Sequence, residues 1–177
     1  YELLSDCEGQ YATLTAETEK INKKIFAACK KITDLRKKEG ASFCKRVTDE
    51  LKTLNIANAQ FDIEFSSYTE IDVDKATNNG LDTVCFMFSA NAGEPMKSLG
   101  KIISGGEMSR FMLAIKTQLS DVNEISTYIF DEIDAGISGR TAQAVAEKLT
   151  ELAHNRQIIC ITHLAQIAAM ADSHYVI

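Results

Sequence analysis

The feature that most constrains this chain is a run near its start in which apolar residues fall alternately four and three positions apart. Cys7, Tyr11, Leu14, Thr18, Ile21, Ile25, Ala28, Ile32 and Leu35 form a heptad seam over about four heptads, interrupted only by Thr18. Such a seam demands one long helix, about 50 Å at the ordinary rise per residue, and a partner helix to cover it. No second heptad run follows, so the partner is expected on another chain or on a part of this polypeptide outside the 177 residues. The next seam position is Glu39, beside Gly40. A charge on the seam and a helix-weakening glycine predict a break or bend there. The apolar phase then restarts as Phe43, Val47, Leu51 and Leu54.

Charge is unevenly spread along the chain. Residues 1–53 hold 11 basic and 9 acidic side chains, a net of +2, whereas residues 54–177 hold 8 and 16, a net of −8. Between Lys20 and Lys38, eight Lys or Arg accompany one acid, Asp34. That stretch reads either as the solvated face of a coiled coil or as an arm that contacts DNA. The overall net charge of −6 argues against a general nucleic-acid binder, because neutralising phosphates needs clustered cations.

Beyond residue 54 the pattern changes. Phe61–Phe65 alternates as a half-buried strand, Thr83–Phe88 reads as a second, and Asn78-Asn79-Gly80 between them signals a turn. Asn91–Pro95 reads as a loop. Strand and helix then alternate: a helix at 107–119, a strand at 127–130, a helix at 139–154, a strand at 157–161, a short helix at 164–171 and a strand from about Tyr175. Apolar strands separated by amphipathic helices predict an α/β fold with a mainly parallel sheet covered by helices. Residues 1–54 are thus expected to be a helical arm and its root, and residues 55–177 one lobe of a larger domain.

Composition agrees: Trp is absent, aromatics are few and there is a single proline, Pro95. Five cysteines, at 7, 29, 44, 85 and 160, include no C-x-x-C pair, which fits thiols in a reducing cytoplasm and not a zinc site. No signal peptide and no apolar run near the ~18 residues of a membrane span are seen, so a soluble cytoplasmic protein with no membrane partner is expected. The chain begins at Tyr1 and stops within an apolar run, as a piece of a longer protein would.

Three short segments carry chemistry. Tyr128-Ile129-Phe130 ends in Asp131 and Glu132, at the carboxyl end of a strand where open α/β sheets bind ligands. Asp131 is placed to hold Mg²⁺, and Glu132 to orient or deprotonate a water beside a phosphate. Ser104-Gly105-Gly106-Glu107 opens a helix bearing Met108, Phe111, Met112 and Ile115. Its free amides and missing side chains suit an anion, while Ser104 and Glu107 also have capping-box spacing; the two readings are compatible. Ile158–Thr162 delivers His163 at the end of another strand, where it can donate to a phosphate oxygen or serve as a structural histidine. His154 and His174 have no such context.

In this order the segments resemble the head of ABC-type ATPases over about residues 97–177: signature motif, Walker B with its catalytic glutamate, D-loop at Ile133-Asp134-Ala135-Gly136, and switch histidine. Glutamate where transporters usually have glutamine, and the long heptad arm, resemble the SMC-related branch. The stretches Gly93-Glu94-Pro95, Ser104–Arg110, Phe130–Gly139 and Thr162–Gln166 resemble the RecN family of bacterial DNA-repair ATPases, with Ala165 standing where that family usually has proline. The resemblance implies the C-terminal lobe of an ABC-type head behind a coiled-coil arm. Asp131 would bind Mg²⁺, Glu132 would activate water and His163 would contact the γ-phosphate of ATP held by the N-terminal half of the same polypeptide. Ser104, Gly105, Gly106 and Glu107 would close over ATP held by a second head of a homodimer, with Asp134 at the junction. The complete protein would hold DNA ends during double-strand-break repair.

No G-x-x-x-x-G-K-[ST] loop is present; Gly100-Lys101 and Gly139-Arg140 both lack its other members. The fragment alone is therefore expected to be inactive. Another SMC-like chromosome-maintenance ATPase, including the relative with a zinc hook, is the alternative within the class. A non-catalytic coiled-coil scaffold is the alternative outside it, against which the joint presence of Asp131, Glu132 and His163 weighs.

Overall fold

The structure, a computed structural model, describes residues 2–101, 105–120 and 125–176, with side chains from residue 9 onward. The heptad segment lies in one long helix, α1 (Glu2–Thr53). Of the break or bend expected at Glu39-Gly40, no break occurs: the helix runs through, for two reasons. Glu39 is exposed, so its charge stays solvated at its seam position. Beyond it, Cys44, Val47, Leu51 and Leu54 are buried, and their packing outweighs the roughly 1 kcal/mol a mid-helix glycine costs.

The chain divides into two compact units: Tyr1–Gly40 with Glu64–Cys85, and Ala41–Ile63 with Phe86–Ile177. This cuts across the division at residue 54, because residues 64–85 pack with the arm. In the first unit Phe26 meets Tyr68 edge-on at 5.9 Å, and Thr33 shares a 2.8 Å hydrogen bond with the Tyr68 hydroxyl. Arg36 pairs with Asp82 at 2.6 Å. Gly80, at φ +95°, closes the turn signalled by Asn78-Asn79-Gly80, where a Cβ would come within 3.3 Å of Asp82. A 3₁₀ turn, Glu70–Lys75, opens with a Thr69–Asp72 capping box. The seam itself stays open: Tyr11, Leu14, Ile21 and Leu35 are 54–75% exposed.

Among the described residues there are two sheets. One orders β1 (Gln60–Phe65), β2 (Val84–Ser89) and β3 (Lys97–Ser98), with β2 and β3 antiparallel. The other is a parallel pair, β4 (Thr127–Phe130) and β5 (Gln157–Cys160), with Phe130 opposite Cys160. Within the second unit Phe111, from α2 (Gly105–Gln118), is fully buried between Phe61 at 5.1 Å and Phe88 at 4.6 Å. α3 (Gly139–Ala153) buries Ala142, Val145, Ala146, Leu149 and Leu152, one stripe at helical spacing, and packs on α2, β5 and α4 (Ala165–Ala168). Lys148 ties this layer to α1 through Glu50 at 3.0 Å.

Among the described residues, only one face of the parallel pair is covered. Tyr128 and Phe130 point into the core, while Ile129, Ile159 and Ile161 are 68%, 45% and 54% exposed. The strand expected at Tyr175 does not form; Tyr175 and Val176 are almost fully exposed, with no strand beside them among the described residues. β3 was not legible, since two residues show no periodicity.

Candidate functional site

The second unit brings three chain segments together at the carboxyl ends of β4 and β5: the start of α2, the loop after β4 and the loop after β5. The apolar faces of α2 and α3 fix the strands beneath, so the polar residues that follow each strand emerge side by side.

The loop after β4 is clamped to α2. Ser109 donates to the backbone oxygen of Asp131 at 2.8 Å. Arg110, only 7% exposed, donates from one guanidinium nitrogen to the carbonyls of Ile133 at 3.3 Å and Ala135 at 3.0 Å. Burial pushes the pKa of Arg110 down, and the nearby Glu107 carboxylate opposes that shift. Gly106 is buried beneath the same loop, and a Cβ there would stand 2.9 Å from the Ala135 methyl and 3.0 Å from its carbonyl oxygen. Glycine is required for this approach.

Asp131 and Glu132 both face solvent. Asp131 Oδ1 accepts the Glu132 amide at 2.9 Å, leaving Oδ2 open. Glu132 sits at φ +56°, in the left-handed region that costs a side-chain-bearing residue roughly 1–3 kcal/mol and clusters at functional sites. Its carboxylate lies against Gly105, where a Cβ would overlap it. The negative group thus rests on the N-terminus of α2, where helix amides favour an anion. Ser104 lies outside the described residues; Glu107, one turn in, is half-buried.

Asp134 occupies a different setting from its neighbours. It is 3% exposed, and its Oδ2 accepts from the Thr162 hydroxyl and from the His163 amide at 2.9 Å. The His163 ring nitrogen Nδ1 lies 3.1 Å from the same oxygen. Burial alone would raise the Asp134 pKa, but the hydrogen bonds from Thr162 and His163 outweigh it and hold the carboxyl below its ordinary value. The His163 side chain is 75% exposed, with one edge of its ring beside Asp134. Asp134 therefore joins the β4 loop to the β5 loop and orients His163.

All the described candidates from residue 105 onward thus come together, and three more residues prove essential to the geometry: Ser109, Arg110 and Thr162. Ser109 and Arg110 lie within the motif that opens α2, yet their partners are backbone carbonyls, which sequence spacing does not reveal. Among the described residues no group of three His, Cys, Asp or Glu converges as a metal cage. The single open carboxylate of Asp131 fits Mg²⁺, which is ordinarily held by one or two carboxylates together with substrate phosphates.

No protein-family model matches the chain. Curated relatives do. It is 40% identical over 177 residues to the DNA repair protein RecN of Bacillus subtilis (strain 168), covering 94% of this chain and 31% of that protein. With RecN of Treponema pallidum (strain Nichols) the identity is 44% over 172 residues, covering 97% and 30%. The sequence belongs with the RecN proteins. It spans less than a third of the length of these RecN relatives. Among solved structures it is similar to an Smc head domain with a coiled coil and joint from Pyrococcus yayanosii, at a TM-score of 0.61 and 22% identity, over 93% of this chain and 30% of that one. A second likeness is to an Smc head bound to the C-winged helix domain of ScpA, with TM-score 0.51 and 21% identity, over 75% and 37%. These likenesses show the fold: an α/β lobe of the kind found in Smc head domains, with a long helix leading into it. No helix among the described residues is long and apolar enough to cross a membrane.

Proposed function

We propose that this chain is the C-terminal lobe of a split ATPase head in a RecN-type protein of DNA double-strand-break repair. The observation that carries the reading is the convergence of Gly105-Gly106, Asp131-Glu132 and the Asp134-oriented His163 at one edge, in a sequence that lacks a phosphate-binding loop. A half-site of this kind is completed by the N-terminal half of the same polypeptide. The uncovered face of β4 and β5, with Ile129, Ile159 and Ile161 exposed, gives that half an apolar surface to bury.

Asp131 would hold Mg²⁺ through its open oxygen, and the ion would supply charge neutralisation at the phosphates. Glu132 would take the proton of the attacking water. His163 Nε2 would meet a γ-phosphate oxygen, donating to it when the ring carries both protons. Asp134, with Thr162, would set the direction of that ring as a positioning residue. Ser104, Gly105 and Gly106, with Glu107 behind them, would receive ATP from a second head. In this lobe the Glu132 carboxylate rests on that surface, so engagement of a second head's phosphates would displace it toward its own nucleotide. ATP would thereby join two heads, hydrolysis would part them, and the arms would convert the cycle into holding DNA ends. The protein would work in the bacterial cytoplasm, on the nucleoid.

In the full-length protein, Glu132→Gln should lower turnover by about 10²–10⁴-fold while ATP is retained and closed dimers accumulate. Hydrolysis at the normal rate would assign the base to another residue.

A further inference from the structure

α1 presents three faces to its surroundings in the first unit. Taking Ile25 and Ile32 as a positions and Ile21, Ala28 and Leu35 as d positions, the d positions are exposed and the a positions half-buried, which leaves the d side of the seam for a partner helix. The b and e positions Phe26, Cys29, Thr33 and Arg36 are packed or paired within the unit, against residues of the 64–85 segment. Neither neighbour accounts for the remaining face. On it stand Lys23, Lys30 and Lys37 at f and Lys24, Lys31 and Lys38 at g, three lysine pairs repeating every seven residues. A g-position lysine can answer an acid on a partner helix. An f-position lysine points away from any two-stranded partner.

The ion pairs make the same distinction. Lys52, Lys75 and Lys148 each pair with an Asp or Glu at 2.7–3.0 Å. Among the described residues none of the six arm lysines has an acidic partner, although Asp34 lies on the same side of the helix. All six are exposed, and the Lys37 ammonium lies 5.9 Å from the centre of the Phe65 ring. The pairs recur about every 10.5 Å and span about 22 Å along a straight helix. A single-sign array that is regular over this length matches a rigid, uniformly charged rod better than a local acidic patch. Duplex DNA, with one charge per about 1.7 Å of axis, is such a rod.

We propose that the f/g lysine ladder of α1 is a docking surface for the phosphate backbone of duplex DNA, independent of base sequence. This rests on the repair function proposed above and locates its DNA contact on the arm. DNA here would run along the side of α1 away from the packed segment and flanking the seam, so the partner helix and the duplex can be held together.

The test compares two quadruple variants in the full-length protein: Lys23, Lys24, Lys30 and Lys31 to Ala, and, with the same loss of charge, Lys52, Lys75, Lys97 and Lys101 to Ala. Each is titrated with fluorescent 30-base-pair duplexes of two unrelated sequences over a salt series, and circular dichroism checks that helix content is retained. The ladder variant should lower the steepness of log K against log salt by about 3 to 4, and equally for both sequences. The control set should leave the slope within about one of the parent. A ladder variant with the parent's slope, a control that loses as much, or binding of poly-glutamate in preference to duplex would overturn the proposal. A parent protein that binds duplex while the ladder variant matches it would sink the arm contact and leave the repair reading standing. A parent that binds no duplex at all would sink both.

Discussion

The end of the parallel pair and the exposed side of the arm treat charge in opposite ways. At the strand ends, two charged side chains are buried and held beside the exposed Asp131 and Glu132: Asp134 accepts from Thr162 and His163, and Arg110 donates to two carbonyls. On α1, the f and g lysines stand in solvent without an acidic partner among the described residues, and the d positions of the seam beside them, Ile21, Ala28 and Leu35, are exposed. The difference separates two kinds of work. In the proposed function, the groups that place a phosphate or a water stand on a framework that the buried Asp134 and Arg110 fix against the backbone. Groups that meet a long partner are left open, because a partner held by charge or by a heptad seam supplies the missing contacts itself.

Three substitutions sharpen that contrast. The largest effect belongs to Phe111→Ala, which empties a fully buried ring site beneath the candidate site. It should cost about 3–5 kcal/mol in denaturant unfolding, and a loss under about 1 kcal/mol would mean the core does not rest on α2. Asp134→Asn comes next, at about 1–3 kcal/mol, because it weakens a buried acceptor with several donors. Its pH dependence has a definite sign. The native carboxyl titrates below its ordinary 3.8, so its stabilisation is complete above that value and fades as pH falls through the lower folded one. The stability gap between the parent and Asp134→Asn should be level at neutral pH and close on acidification; a gap that widened in acid would contradict the assignment. Leu35→Ser should be the mildest, within about 0.5 kcal/mol in this chain, since Leu35 is 62% exposed. A clear destabilisation would show that the seam is already covered.

The second unit was the more legible in sequence. β4, α3 and β5 each carry a strong local signal, an apolar run or a 3.6-residue stripe, and they form within a residue or two of the expected bounds. The arm was legible as a helix but not in its packing. Residues 64–85 join it through Tyr68 and Asp82, a hydroxyl and a carboxylate with no periodic signature, and the predicted break at Gly40 was overruled by tertiary burial of Val47, Leu51 and Leu54. At the site, Asp131, Glu132 and His163 were visible because strands delivered them. Arg110 and Thr162 were not, because they act on groups brought close only by the fold.

The central claim is that this chain supplies half of an ATP-hydrolysing site. ATP turnover should be measured for the chain alone, for the separately produced N-terminal part of the full-length protein, and for the two mixed, with this chain as the parent sequence and as Glu132→Gln. Turnover should arise only in the mixture and vanish with Glu132→Gln; sustained hydrolysis by this chain alone would contradict the account.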